Sequence, residues 1–112
     1  MPENSPSQVP PIDVPALFDR CMSDPAFVKE ILDLFRDQAR ANLLALGNAL
    51  DAGDAEQAWK LAHTVKGSAA NVSADRLSQM LAQVEQLAHE KVFDRTKELL
   101  EEIRKEFERV VA

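Results

Sequence analysis

Apolar residues recur at intervals of three and four along most of this 112-residue chain, the spacing that gathers them on one face of an α-helix. After Pro25, the positions Phe27, Ile31, Leu34, Phe35, Ala39, Leu43, Leu46 and Leu50 make a long stripe that runs to Asp51, and Gly53 ends it. Asp24-Pro25 reads as the start, with Asp as N-cap and Pro at the first helical position, where its missing N–H is not needed. A short helix over Val14 to Met22 precedes this one. Asp54 is placed to cap the next helix, with Gln57 three residues on in a capping-box arrangement, and that helix runs to about Val72. Ser73 is a good N-cap for a further helix over Ala74 to about Glu90, with Leu77, Leu81, Val84, Leu87 and Ala88 on one face. The last helix turns Leu99, Leu100, Ile103, Phe107, Val110 and Val111 inward and sets Glu98, Glu101, Glu102, Lys105, Glu106 and Glu108 largely outward.

The junction Lys91-Val92-Phe93-Asp94 contains neither Gly nor Pro, so local signals alone also fit one continuous helix there. A break is favoured because four amphipathic helices with short connections can bury all their stripes together, whereas an unbroken helix would leave one exposed. The expected fold class is therefore all-α: an antiparallel up-down-up-down four-helix bundle over residues 14–112, with a short additional N-terminal helix. Five of the six prolines (Pro2, Pro6, Pro10, Pro11 and Pro15) crowd the start of the chain among Ser, Asn and Gln, so residues 1–13 are expected to be a disordered or extended tail.

Composition narrows the function classes. At 46% hydrophobic and 29% charged residues the chain reads as one soluble globular domain. No apolar run approaches the ~20 residues of a membrane span and nothing resembles a signal peptide, so no membrane association and a cytoplasmic location are expected. A net charge of −6 argues against nucleic acid, which needs a clustered basic surface. Cys21 stands alone and reads as a small apolar filler.

The candidate chemistry lies in Ala62-His63-Thr64-Val65-Lys66-Gly67-Ser68. At about 100° per residue, His63, Lys66 and Gly67 share one face, opposite Ala58, Leu61, Val65, Ala69 and Val72, so the imidazole should meet solvent. An exposed imidazole titrates near ~6.5; around pH 7 most of it is neutral and offers a nucleophilic ring nitrogen that could accept a phosphoryl group. Lys66, one turn away, could contact the phosphoryl oxygens, and Lys60 on the same side adds a weaker field. A glycine in mid-helix costs ~1 kcal/mol relative to alanine. Gly67 therefore marks either packing against a neighbour or close approach of a partner, and its place beside His63 favours the partner. Trp59 and Ala70 form a small apolar rim about His63, although Trp59 could equally fold down against the adjacent helix. His89, near a helix end, reads as an idle solvated side chain.

The run from Ala62 to Ala70 resembles the signature of histidine-containing phosphotransfer (HPt) domains, and Arg76-Leu77 with Leu81 through Leu87 continue the pattern over residues 14–112. The resemblance implies a four-helix bundle with His63 as phosphoacceptor, Lys66 stabilising the phosphoryl group, Gly67 permitting close docking and Ser68 supporting the site. Trp59, Lys60 and Ala70 would belong to the docking surface. Many members carry glycine where this chain has Ser73, so the turn there departs from the pattern. The implied partners are response-regulator receiver domains and a hybrid sensor kinase, and the implied activity is reversible phosphoryl transfer between receiver aspartates in a multistep phosphorelay. No cofactor is expected on this chain, since the receiver should bring the aspartate and its Mg²⁺. Lys66-Gly67-Ser68 reverses the Gly-Lys-Ser/Thr order of a phosphate loop, so no autonomous ATP-dependent kinase activity is expected. The chain is either free-standing or a piece of a larger protein; Met1 and the tail favour free-standing. A monomer is expected, because one bundle can satisfy every apolar stripe. The alternative from another class is a helical adaptor that binds receiver domains without phosphorylation. A metal site is disfavoured, because His63 and His89 lack an i, i+4 pairing.

Overall fold

A computed structural model describes residues 11–111. Within them the chain forms five helices and no strand: α1 (Val14–Arg20), α2 (Pro25–Asp51), α3 (Ala55–Asn71), α4 (Asp75–His89) and α5 (Phe93–Val111). Three helices start on an aspartate. The side chain of Asp13 accepts from the Ala16 N–H, that of Asp24 from Ala26 and Phe27, and that of Asp54 from Gln57. Each satisfies donors that the first turn leaves unpaired. The Asp54 N–H donates to the Ala49 carbonyl, so half of the expected capping box is made.

Helix ends follow one device four times. Met22, Gly53, Ser73 and Lys91, just past the ends of α1 to α4, have φ of 55°, 69°, 59° and 58°. The next residue's N–H then reaches back five residues: Ser23 to Phe18 O at 2.9 Å, Asp54 to Ala49 O at 2.9 Å, Ala74 to Ala69 O at 2.9 Å and Val92 to Leu87 O at 3.0 Å. These are Schellman closures. The last of them makes the break between α4 and α5 with a lysine in the left-handed position. The third corrects the reading of Ser73 as an N-cap: Ser73 terminates α3, and Ala74 occupies the N-cap of α4 without a side-chain hydrogen bond.

α3 packs most closely on α4 and then on α2, while α5 packs on both α4 and α2. The closeness follows from size: Ala58, Ala62, Val65 and Ala69, all fully buried, give α3 a face of short side chains. Leu46, Leu50, Leu77, Leu81, Val84 and Ile103 fill the core around it. Leu61 lies partly buried at the edge of that core. α1 is tied to the α3–α4 connection, since the Asp13 N–H donates to Ser73 O at 2.9 Å and Arg20 Nη1 to Ala70 O at 2.7 Å. Leu17 and Cys21 are buried there, and Ile12 packs against the core. Of the tail expected over 1–13, residues 1–10 lie outside the described residues. No described helix is long and apolar enough to cross a membrane.

Two expected core positions are on the surface. Phe27 is 42% and Leu34 54% exposed, because they fall roughly 100° round the helix from the buried arc of Phe35, Ala39, Leu43, Leu46 and Leu50. Spacing by threes and fours spreads over a wide arc in a helix of 27 residues. Glu106 departs the other way. Read from sequence as outward, it is buried, with Oε1 2.8 Å from Arg109 Nη1 and 3.8 Å from Arg76 Nε. The arginines lie beside it and supply the positive charge that a buried carboxylate requires.

Candidate functional site

The alanine face of α3 fixes what the opposite face presents. With Ala58, Ala62, Val65 and Ala69 turned inward, His63 emerges on the surface with 60% of its side chain exposed. Lys66 and Gly67 follow on the same side. Among the described residues a Cβ built on Gly67 would meet nothing within 4 Å, so this glycine answers no packing need there and leaves open space beside the histidine.

The close packing of α3 on α4 brings in a residue that the sequence reading passed over. Glu85 on α4 bridges the pair, with Oε2 3.1 Å from His63 Nδ1 and Oε1 2.5 Å from Lys66 Nζ. Its side chain is only 13% exposed. Burial pushes the Glu85 carboxyl up, but the contacts from Lys66 and His63 outweigh it and hold the group below its ordinary range. Glu85 is therefore a carboxylate near neutral pH, and a carboxylate only accepts. The hydrogen on His63 must then sit on Nδ1, which leaves Nε2 of the neutral ring with a free lone pair. Ser78 lies seven residues before Glu85 on the same edge of α4 and donates to the Lys66 carbonyl at 3.2 Å. The sequence carried a signal for both: they flank the Leu77, Leu81, Val84 and Ala88 stripe on one margin, where polar groups can reach a neighbouring helix.

Trp59 takes up both positions left open by the sequence. It packs partly buried against the core, and its ring also stacks on the His63 imidazole with centroids 5.6 Å apart and planes 16° apart. The same indole also meets His89, the last residue of α4, at 5.1 Å and 57°. His89, read as idle, thus belongs to the cluster. The remaining expected site residues are less central. Lys60 pairs with Glu56 at 2.9 Å, and the Ser68 hydroxyl donates back to the Thr64 carbonyl at 3.1 Å. Ala70, partly buried, offers its carbonyl to Arg20. No group of three or more His, Cys, Asp or Glu among the described residues is arranged to hold a metal ion.

A family model for the Hpt domain matches residues 30–112, a span that includes His63, Lys66, Gly67 and Glu85. The chain belongs to the Hpt domain family. This Hpt domain is similar to the crystal structure of histidine-containing phosphotransfer protein B (HptB) from Pseudomonas aeruginosa PAO1. The two share 28% identity and a TM-score of 0.84 over 92% of this chain and 90% of that one. No curated protein sequence matches it. Family membership makes the chain a histidine phosphotransfer protein of two-component phosphorelay signalling, a system in which Hpt domains meet receiver domains and kinases.

Proposed function

We propose that this Hpt domain carries a phosphoryl group on Nε2 of His63 between the aspartates of receiver domains in a multistep phosphorelay. The observation that supports it most is the Glu85 bridge, which gives an exposed histidine one committed tautomer and sets Lys66 beside it. In the forward step the Nε2 lone pair attacks the phosphorus of a receiver's aspartyl phosphate. The acyl O–P bond breaks and the aspartate leaves as a carboxylate, without a proton. The Nδ1 hydrogen stays on the ring, whose new positive charge faces the Glu85 carboxylate. Transfer to the next receiver aspartate reverses the same bonds. Lys66 contacts the phosphoryl oxygens, and the open space at Gly67 admits the receiver surface. Ser68 supports the turn of helix beneath the site, and Lys60 and Ala70 border the docking face. A hybrid sensor kinase is the donor. The domain binds no cofactor of its own and supplies a positioned nucleophile, while the receiver brings Mg²⁺ with its aspartate. It works as a cytoplasmic monomer, with α2 to α5 as an antiparallel up-down-up-down bundle.

The test is incubation with a Mg²⁺-loaded receiver domain phosphorylated by acetyl phosphate. The expected product is an acid-labile, alkali-stable phosphate on His63. His63→Gln should abolish the label with helical content unchanged; a label that persists shows that another residue is the acceptor. Receiver binding without any label on the wild-type chain would make the domain a non-catalytic adaptor.

A further inference from the structure

A histidine held only at Nδ1 is not yet positioned. The χ2 torsion of histidine is broad and roughly two-fold, so a ring bonded at one edge can still swing about that bond. The contact with Glu85 fixes one atom, and the plane of the ring needs a second restraint. Trp59 lies one helical turn before His63, and its indole is nearly parallel to the imidazole at 5.6 Å. The indole is itself pinned: it packs on the core from α3, meets His89 of α4 at 5.1 Å, and walls a small hollow with Ala55, Glu56, Ala88 and Lys91. The imidazole is thus held across its face from one helix and at its edge from the next.

We propose that Trp59, braced by His89, is a positioning residue for phosphoryl transfer: its indole sets the plane of the His63 ring and thereby the direction of the Nε2 lone pair. This rests on the phosphotransfer reading above, and it differs from a place on the docking rim, which would act on receiver affinity rather than on the transfer step. In-line displacement depends on the angle of attack as well as on distance, and loss of orientation slows a bound reaction without weakening binding.

The same phosphorylated receiver that labels His63 is the probe. In single-turnover transfer at saturating receiver, Trp59→Leu should lower the rate about five- to tenfold, while Trp59→Phe, which keeps a stacking ring, stays within about twofold. The half-saturating receiver concentration should be unchanged in both. A loss seen only in half-saturation assigns Trp59 to docking and overturns the proposal, as does an unchanged rate in Trp59→Leu. Wild-type labelling in every case separates these outcomes from failure of the phosphotransfer reading itself. A second measurement reads the stack itself, in the wild-type chain and in Trp59→Leu. The chain has one tryptophan and no tyrosine, so its emission comes from the ring stacked on His63 and should change when that histidine is phosphorylated. His63 ring-proton resonances should also carry the indole ring-current shift. Emission and resonances indifferent to phosphorylation and to the indole mean that the stack is absent in solution, and the proposal fails.

Discussion

Gly67→Ala should move stability and activity in opposite directions. The glycine sits inside α3, where alanine is favoured by ~1 kcal/mol, because it loses less backbone freedom on folding. Usually such a gain is offset by crowding, but here the added methyl has no atom of the described residues within 4 Å to displace. The full ~1 kcal/mol should therefore appear as stabilisation. Unfolding entropy of ~2.1 cal/mol/K per residue over this chain gives ~0.24 kcal/mol/K, so the midpoint should rise by about 4 °C. The same methyl then stands on the face proposed for receiver docking. Interfaces packed as tightly as protein interiors lose about 1–3 kcal/mol to an extra methyl, a roughly 5- to 160-fold weakening of transfer.

Thermal or urea unfolding reads the first effect and labelling of His63 by a phosphorylated receiver reads the second. A variant less stable than wild type would show that Gly67 is packed, contrary to the open space observed. A more stable variant with unimpaired transfer would refute close approach at that point while leaving His63 as acceptor.

Ser73→Gly should stabilise by about 1–2 kcal/mol in urea titration: it relieves left-handed strain of roughly 1–2 kcal/mol and removes a buried hydroxyl without a partner, offset by roughly 0.5–1 kcal/mol of glycine entropy. Lys91→Gly shares the backbone change but no buried hydroxyl, so equal gains in the two variants would contradict the role given to Ser73 Oγ. Lys66→Ala should shorten the lifetime of the His63 phosphate about tenfold, the worth of one charge-assisted contact at a partly exposed site, with circular dichroism unchanged; an unaltered decay rate removes Lys66 from the site. The Glu85 carboxyl is held below its ordinary value of 4.5, so it contributes stability above pH 4.5 that is lost as pH falls through its lower folded value. Wild type should therefore exceed Glu85→Gln in stability at pH 7, with the gap closing below pH 4.5, and a gap constant across that range would mean that the charge of Glu85 does not hold the bridge.

The parts of this molecule that sequence reveals are those set by periodicity and by local caps. Asp24-Pro25, Asp54 and the alanine face of α3 each act within one or two turns, so the helices and the exposure of His63 could be read residue by residue. What stayed hidden depends on long-range contact or on a backbone shape that composition does not announce. Ser73 and Lys91 adopt the left-handed position that glycine takes after α2, and nothing in either side chain signals it. The closure is stabilised instead by the returning N–H bonds and by burying Ala74 beneath it, which together offset the strain. Glu85 and Glu106 show the same division among charges. Glu106 lies in an acidic stretch and Glu85 between two glutamines, so both look solvated, yet Glu85 is covered because α3, with its short side chains, lets α4 come close, and Glu106 because Arg76 and Arg109 converge on it. The first of these gives the site its chemistry. An exposed His-x-x-Lys pair on one helix can attract a phosphoryl group, and a carboxylate from the neighbouring helix commits the ring to the tautomer with a free Nε2, the atom proposed as acceptor.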